Sequence, residues 1–226
     1  MSWNGALNEG LTLRIDGTVP LSIDAVKAVE ELCAHTEAHD GTGAVPIRMS
    51  GAPVTSWTGG ADVALVSKWE RAVRRLERLG AITVAVAEGD LGGLALDVLL
   101  ATDYRIAAPD TRLVVPVEDG VSWPGMATYR LARQAGIAAV RRAVLFGHPI
   151  EAGEAVTLSL LHEVAEDPAA LLAEVTEELA AVPGRELAIR RQLIHDAVAT
   201  SFEDALGVHL AACDRALRRS SPGVVS

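Results

Sequence analysis

The sequence predicts an α/β fold, in which strands and helices alternate through a layered or coiled domain and a helical segment follows it. Over the first 146 residues, apolar patterns of period two alternate with patterns of helical period. Beyond Gly147 the pattern is almost wholly helical. Of the 226 residues 50% are apolar, which is enough to bury a sizeable core. We therefore predict one core domain in residues 1–165, a helical oligomerisation segment in 166–219 and a flexible tail in 220–226.

The N-terminal part of the chain carries two strand patterns separated by a helix. Alternation over residues 11–15 predicts the first strand, and Ser22 is the predicted N-cap of a helix that ends near His39. The apolar run 45–49 predicts the second strand. Glycine, proline, serine and threonine dominate residues 50–60, which predicts a loop.

The central part continues the alternation. Asp62 is the predicted cap of a charged helix that Gly80 ends, and the β-branched run 82–86 predicts a third strand. Residues 88–93 are rich in turn formers, and residues 94–101 are so apolar that they predict a buried helix. Two further strands are predicted at residues 104–107 and 113–115.

The C-terminal part is predicted to contain four helices, at residues 151–158, 167–181, 185–199 and 201–219, with a short extended piece at 163–165. The last helix has an apolar stripe that needs a surface to bury against, and another subunit could supply it. The stripe consists of Phe202, Leu206, Leu210, Cys213 and Leu217.

Charge and composition exclude several classes of function. With 20 basic and 30 acidic side chains, the net charge is −10 and no basic stripe could neutralise phosphates, so nucleic acid is not a predicted partner. No apolar run reaches the length of a membrane span, and the N-terminus lacks a signal pattern, so we expect a cytoplasmic protein with no membrane partner. Cys33 and Cys213 stand alone, and His35 and His39 lack a third ligand nearby, so we predict no disulfide and no metal site.

Two glycine-rich turns stand out as candidates for chemistry. Residues 57–62 and 88–93 each lead into a predicted helix, where backbone N–H groups are left free. Side by side, the two turns would form an oxyanion hole. For either turn alone, glycines that end a strand are the simpler interpretation. Neither turn has the spacing of a dinucleotide-binding or phosphate-binding loop.

From residue 45 to 165, the order of motifs resembles the crotonase (enoyl-CoA hydratase/isomerase) superfamily. Gly60, Ala61 and Asp62 stand at its Ala-Gly-Ala-Asp-type loop, and residues 89–97 match its Asn-Gly-x-x-x-Gly-Gly-Gly-x-Glu segment without gaps. Residues 116–125 and 145–155 keep the spacing of two further family segments. The resemblance implies a ββα superhelical core with C-terminal helices, and a homotrimer or dimer of trimers. It also implies an acyl-CoA substrate, with coenzyme A as part of that substrate and no separate cofactor.

The same resemblance assigns roles to individual residues. The backbone N–H groups of Ala61 and Leu94 would polarise a thioester carbonyl, and Asp97 stands at the first of the family's two catalytic glutamates. The second position is Val117, so the pair is incomplete. Asp97 is either a general acid or base with a raised pKa or a buried carboxylate held by an arginine. The predicted substrate-binding residues are Trp57, Gly60, Asp62, Gly93, Val117, Pro124 and Gly125.

Two nearby charged groups have simpler interpretations. Glu118, next to Val117, would point the other way in an extended segment, which favours a solvated or interface charge. The arginines on the helix after Asp62 could meet coenzyme A phosphates, but pairing with Glu70 and Glu77 on a solvated face is the commoner outcome.

The chain resembles the DpgB-type hydratase-like companions of the type III polyketide synthase that makes 3,5-dihydroxyphenylacetyl-CoA. Three features carry this resemblance: the short chain, Asp97 at the first carboxylate position and Val117 at the second. That resemblance implies dehydration and aromatisation of a polyketide CoA thioester in dihydroxyphenylglycine and antibiotic biosynthesis, with the synthase as a candidate partner. Three hypotheses stay open at this point. The protein is a CoA-thioester hydro-lyase with Asp97 as proton carrier, a weakly catalytic or non-catalytic partner of the synthase, or a crotonase with other chemistry such as isomerisation or thioester hydrolysis.

Overall fold

The computed structural model describes residues 12–39, 43–54 and 56–220. Leu11 of the first predicted strand and residues 221–226 of the predicted tail lie outside the described residues. The fold is the mixed α/β architecture that the sequence predicts, with a largely parallel sheet and C-terminal helices. Among the described helices, none combines the length and hydrophobicity that crossing a membrane requires.

The strands form one seven-stranded sheet and one hairpin. The path through the large sheet is β1-β2-β3-β4-β9, every neighbouring pair on it is parallel, and β5 joins β3 in parallel and β8 in antiparallel orientation. The strands are β1 (Leu13–Asp16), β2 (Ala44–Gly51), β3 (Ile82–Leu91), β4 (Tyr104–Ala107), β5 (Arg112–Leu113), β6 (Val117–Glu118), β7 (Val121–Ser122), β8 (Ile150–Glu151) and β9 (Glu163–Val164). β6 and β7 form the separate hairpin.

Nine helices lie in the described part of the chain. They are α1 (Ile23–Ala38), α2 (Val63–Glu77), α3 (Gly93–Leu99), α4 (Met126–Ala135), α5 (Ile137–Phe146), α6 (Ala152–Thr157), α7 (Pro168–Leu179), α8 (Gly184–Ala197) and α9 (Phe202–Ser220). The predicted caps Ser22 and Asp62 accept the amides of Ala25 and Leu65. No sequence pattern predicted α4 and α5. Helix α4 packs against α3, and α5 packs against α4.

The prediction of a turn over residues 88–93 is wrong for its first half, because β3 continues to Leu91. Gly89 has a φ of +67°, and the register with β2 shifts between Ser50 and Gly51. The strand bends there and then pairs with β5 through Asp90 and Leu91. Glycine and aspartate therefore mark an irregularity inside a strand, not its end.

The sheet is covered on both faces. One face packs against α1, α2 and α3 in the main core, and the other packs against α7, where Leu172 and Val175 meet Val84 and Ile106. Helix α7 therefore covers the sheet, although it follows the boundary at residue 165 that the sequence analysis placed at the end of the core. A strand buried on both faces is almost continuously apolar, as the run 82–87 is.

The last two helices are attached by arginine–carboxylate contacts. Arg191 on α8 binds both carboxylate oxygens of Asp103, with distances of 2.7 and 2.6 Å. Glu186 on α8 pairs with Arg215 and Arg219 of α9 at 3.2 and 2.8 Å. The apolar stripe of α9 lies in solvent in the single chain, with Phe202 75% and Leu210 58% exposed.

Candidate active site

Three loops meet at the carboxyl ends of β1, β2 and β3. A Cβ atom added to Gly17 would lie 2.0 Å from the carbonyl oxygen of Gly51 and 2.5 Å from that of Gly92, so only glycine fits. The Gly92 amide donates to the Gly51 carbonyl at 3.0 Å. This edge is where open α/β sheets bind ligands, and both predicted glycine-rich turns leave it toward a helix.

The first turn holds the Ala61 amide in a hydrogen bond. Gly59 and Gly60 have φ values of +55° and +82°, and the Ala61 amide donates to the Thr58 carbonyl at 2.7 Å. Two consecutive residues of positive φ closed by a bond of this kind form a type I′ turn. The expectation that both oxyanion donors are free is therefore wrong for Ala61 in this conformation, because the glycines close a turn on themselves. Asp62 follows the turn and caps α2.

The second turn leaves the Leu94 amide free. Leu94 is the second residue of α3, and no hydrogen-bond acceptor contacts its N–H within the residues that the structure describes. Gly93 has a φ of +53°, and a Cβ there would lie 3.3 Å from Pro53. The side chains of Leu94 and Ala95, which stand in place of the family's glycines, are fully buried in the core.

Glu118 holds the loop before the first turn. Its Oε1 atom accepts the amide of Trp57 at 3.0 Å and that of Thr58 at 3.5 Å. The interpretation of Glu118 as a solvated or interface charge is therefore wrong. The Asp119-Gly120 turn reverses the chain between β6 and β7, with positive φ at both residues, and the hairpin brings Glu118 back to the loop.

The remaining predicted binding residues lie around this loop. Trp57 is buried and packs edge-on against Trp123 at a centroid distance of 5.5 Å, and its indole Nε1 has no hydrogen-bond partner among the described residues. Pro124 is exposed, and Gly125 caps α4 under the Trp123 indole, which leaves no room for a Cβ. Val117 is half exposed and packs against Gly147 at the end of α5. Glu118, not Val117, therefore turns toward the Trp57 loop.

Asp97 is buried one turn after Leu94 on α3. Trp69 on α2 donates its indole N–H to Asp97 Oδ2 at 2.9 Å, and the backbone of Ala127 at the start of α4 is a second hydrogen-bond partner. Burial, followed by the negative charge of Glu70, raises the pKa of Asp97 from 3.8 to about 7. The predicted arginine is present as well, because the positive charge of Arg130 lowers the pKa of Asp97, but the side chain that bonds Asp97 directly is the Trp69 indole.

The nearby arginine pairs with glutamates instead. Arg130 is 5% exposed and contacts Glu70 at 3.1 Å and Glu77 at 3.9 Å. Burial raises the pKa of Glu70 above its ordinary value, although Arg130 and the Met126 backbone oppose the shift. On α2, Arg74 binds Glu77 and Arg75 binds Glu37 of α1. Two of the arginines that the sequence predicted on the helix after Asp62 are therefore paired with carboxylates.

A cleft of about 780 Å³ lies beside this cluster, between α2, α4 and the end of α8. Neither the sequence motifs nor their spacing indicated it, because its walls come from three separate parts of the chain. It is lined by Ser67, Glu70, Arg71, Arg74, Glu77, Met126, Tyr129, Arg130, Arg133, Gln134, Ile194, His195, Asp196, Val198 and Ala199.

Among the described residues, no three His, Cys, Asp or Glu side chains lie close enough together to bind a metal ion. His35 and His39 stack on each other with centroids 4.3 Å apart on α1 and its C-cap. Cys33 and Cys213 are both free thiols, and burial raises the pKa of Cys33 to about 12.

Comparison with known proteins places the chain in a family. No family model matches it. It is 53% identical to an enoyl-CoA-hydratase of Amycolatopsis orientalis over 215 residues, 95% of this chain and 99% of the relative. It is 29% identical to a probable enoyl-CoA hydratase of Bacillus subtilis over 157 residues, 67% of this chain and 61% of the relative.

Solved structures show the same fold. An enoyl-CoA hydratase/isomerase from Marinobacter aquaeolei superposes with a TM-score of 0.79 at 19% identity, over 95% of this chain and 90% of its own. An enoyl-CoA hydratase/isomerase family protein from Silicibacter pomeroyi gives a TM-score of 0.78 at 19% identity, over 94% and 96%. With 53% identity to the Amycolatopsis enoyl-CoA-hydratase over 95% of its length, the chain belongs to the crotonase, or enoyl-CoA hydratase/isomerase, superfamily.

Proposed function

We propose that this protein acts on acyl-CoA thioesters as a hydro-lyase and removes water from the β-position of the acyl group. The observation that carries the proposal is the pairing of two groups on α3, the free Leu94 amide and the buried Asp97 carboxyl one turn later. An amide at a helix N-terminus stabilises the negative oxygen of an enolate. A carboxyl group with a pKa near 7 both accepts and returns a proton near neutral pH.

The reaction follows from these two groups. The Asp97 carboxylate removes the α-proton, and the electron pair of the C–H bond moves onto the thioester oxygen, where the Leu94 N–H binds it. The enolate then collapses to form the α,β double bond and expels the β-hydroxyl, which takes the proton back from Asp97 and leaves as water. One carboxyl group serves both steps when the α-proton and the hydroxyl leave from the same face. Coenzyme A is part of the substrate, and the mechanism uses no separate cofactor.

Ala61 is the second oxyanion donor in this proposal. Its amide must exchange the Thr58 carbonyl for the thioester oxygen when substrate binds. Gly59 and Gly60 make that exchange accessible, because glycine moves between backbone conformations that other residues avoid. Glu118 limits the movement to the turn itself, since it fixes the amides of Trp57 and Thr58.

Within this class, we propose a polyketide-derived CoA thioester as substrate, with 3,5-dihydroxyphenylacetyl-CoA as the product of dehydration and aromatisation. Val117 stands where the resemblance implies a second carboxylate, so the site offers Asp97 alone for the proton transfers that the family's hydratases divide between two glutamates. Elimination of water that produces an aromatic ring has a strongly favourable free energy. It therefore requires less catalytic assistance than the addition of water to an isolated double bond. The type III polyketide synthase that supplies such a thioester is the proposed partner.

The second candidate function is that of a weakly catalytic or non-catalytic partner of the synthase. The hydrogen bond between the Ala61 amide and Thr58 favours it, because a donor that stays paired leaves the oxyanion hole half formed. Isomerisation or thioester hydrolysis is a third possibility on the same site, since both also begin with a polarised thioester carbonyl.

One set of assays separates these functions. Dehydration of 3-hydroxyacyl-CoA, hydration of crotonyl-CoA, and product formation by the synthase with and without this protein are compared for the wild type, Asp97→Asn and Asp90→Asn. Asp90 is an exposed carboxylate paired with Arg112 and serves as the matched control. The proposal expects Asp97→Asn to lower dehydration and synthase stimulation about a hundredfold, the size of a general acid–base effect.

The other outcomes point to the other functions. Equal stimulation of the synthase by the wild type and Asp97→Asn would establish the non-catalytic partner. Release of free coenzyme A, or movement of a double bond without loss of water, would establish hydrolysis or isomerisation.

A further inference from the structure

The cleft between α2, α4 and α8 begins next to the Asp97 carboxyl group. Met126 and Glu70 line the cleft, and the residue after Met126, Ala127, bonds Asp97 through its backbone. Glu70 lies close enough to Asp97 for its charge to raise the pKa of that carboxyl. Asp97 itself does not line the cleft, but its neighbours Glu70 and Arg130 do, so the cleft adjoins the groups that surround the Asp97 carboxyl.

The cleft offers an apolar wall of the size that a small ligand needs. Met126, Tyr129, Ile194 and Val198 line it, and all four are between 39% and 72% exposed in the single chain. A volume of about 780 Å³ falls in the range of about 300–1,000 Å³ typical of small-molecule sites. The chain of an acyl group fits such a wall.

The charges in the cleft leave two arginines without carboxylate partners. Arg130 pairs with Glu70 and Glu77, and Arg74 pairs with Glu77. In the described part of the chain, Arg71 bonds only the Ser67 carbonyl, and Arg133 bonds only the His195 carbonyl while it packs over the Tyr129 ring.

The balance of charge in the cleft is positive. Four arginines line it against three carboxylates. The guanidinium groups of Arg71 and Arg133 are thus available to an anion of the ligand.

We propose that this cleft holds the distal end of the acyl group and that Arg71 and Arg133 bind an anionic oxygen group, such as a carboxylate, at that end. The inference rests on the proposed hydro-lyase activity, independently of the aromatic product proposed above, and names its substrate class: acyl-CoA thioesters that carry an acidic group beyond the reacting carbons. Guanidinium binds carboxylate through paired hydrogen bonds, and Tyr129 holds the Arg133 guanidinium in place. The phosphates of coenzyme A share this chemistry, but the apolar wall of the cleft favours the acyl end.

The test compares binding of glutaryl-CoA, its methyl ester and glutaryl-pantetheine by calorimetry. The methyl ester removes the distal charge at nearly constant size, and the pantetheine thioester removes the coenzyme A phosphates. The variants are the double change Arg71→Ala with Arg133→Ala, and Arg78→Ala as the control. Arg78 is the exposed C-cap residue of α2 and does not line the cleft. Thermal melting checks that each variant is folded.

The proposal expects the wild type to bind glutaryl-CoA at least about tenfold more tightly than the methyl ester, because charge-assisted hydrogen bonds are lost with the charge. The double variant should lose this preference and still bind the methyl ester, while the control keeps the preference. Glutaryl-pantetheine should remain sensitive to the double change.

Three results would overturn the inference. Equal binding of glutaryl-CoA and its methyl ester by the wild type refutes the acidic subsite and leaves the proposed function intact. If the double change weakens binding of glutaryl-CoA but not of glutaryl-pantetheine, the two arginines bind the phosphates of coenzyme A and not the acyl group. Failure of the wild type to bind any of the thioesters contradicts the proposed function itself, on which the inference depends.

Discussion

Asp97 is the residue on which the chemistry depends, and its surroundings explain its titration. A carboxylate taken out of water is costly, and the negative charge of Glu70 adds to that cost. The indole N–H of Trp69, the positive charge of Arg130 and the backbone of Ala127 offset part of it. The result is a carboxyl group that titrates near neutral pH, the range in which it can carry a proton in both directions.

The raised pKa of Asp97 predicts how stability depends on pH. Between the ordinary pKa of 3.8 and about 7, the folded protein holds a proton that the unfolded chain releases. Protonation of Asp97 therefore stabilises the fold fully below pH 3.8, and this stabilisation is lost as the pH rises through about 7. Because Asp97→Asn removes the titration, the melting temperature of the variant relative to the wild type should increase across this window. A difference that does not vary with pH would show that Asp97 does not titrate there.

Trp69 is predicted to tune the same carboxyl group. The Trp69→Phe change removes the N–H donor to Asp97 but keeps an aromatic ring in the core, so the pKa of Asp97 should rise further. Carbon-13 NMR titration of labelled aspartate measures this pKa directly. A downward shift, or none, would mean that the indole does not stabilise the carboxylate.

At the scale of elements, the turn of residues 58–61 controls the first oxyanion donor. Gly60 has a φ of +82°, which proline cannot adopt because its ring fixes φ near −65°. The Gly60→Pro change should therefore distort the turn and abolish binding of acyl-CoA thioesters in calorimetry. Gly60→Ala is the matched control, because a Cβ at this position meets no atom within 4 Å and costs only the strain of the positive φ. Retention of full affinity by the proline variant would exclude the turn from the site.

The elements that the sequence predicts well are those set by local signals. Ser22 and Asp62 cap α1 and α2 because a short polar side chain before an apolar periodic run satisfies a free helix amide. The end of β3 was not predicted, because the strand continues past Gly89 through its pairing with β5 and with the end of β2. The same limit applies to Glu118, whose role depends on contact with a loop 60 residues away.

At the scale of the whole molecule, α9 points to association. Its stripe leaves Phe202, Leu206, Leu210 and Leu217 between 42% and 75% exposed in the single chain. A continuous apolar face of this kind is typical of an interface between subunits. We propose a homotrimer or a dimer of trimers, in line with the assembly that the sequence resemblance implies.

The assembly has a direct test in light scattering. Leu210→Glu places a charge in the middle of the stripe and should dissociate the assembly, whereas Glu203→Gln, an exposed change on the same helix, should leave the mass unchanged. A monomeric wild type at micromolar concentration, or an unchanged mass and melting temperature for Leu210→Glu, would count against α9 as the interface.

The whole-molecule organisation was only partly accessible to sequence reasoning. The motif order from residue 45 to 165 indicated the family, because main-chain donors and a buried carboxyl need fixed spacing along the chain. The cleft could not be predicted, since α2, α4 and α8 contribute to it from three separate parts of the chain, the first and last of them more than 100 residues apart. Trp69 as the partner of Asp97 was missed for the same reason: the two residues are 28 positions apart and meet only in the folded core.

The central claim is that Leu94 and Asp97 together form and stabilise an enolate of an acyl-CoA thioester. Exchange of the α-protons of a saturated acyl-CoA with D2O, followed by NMR, measures this step without requiring loss of water or knowledge of the natural acyl group. The account predicts deuterium incorporation by the wild type that increases as the pH passes about 7, as Asp97 ionises, and that is about a hundredfold slower in Asp97→Asn. Incorporation no faster than in buffer alone, or equal rates for the wild type and Asp97→Asn, would contradict it.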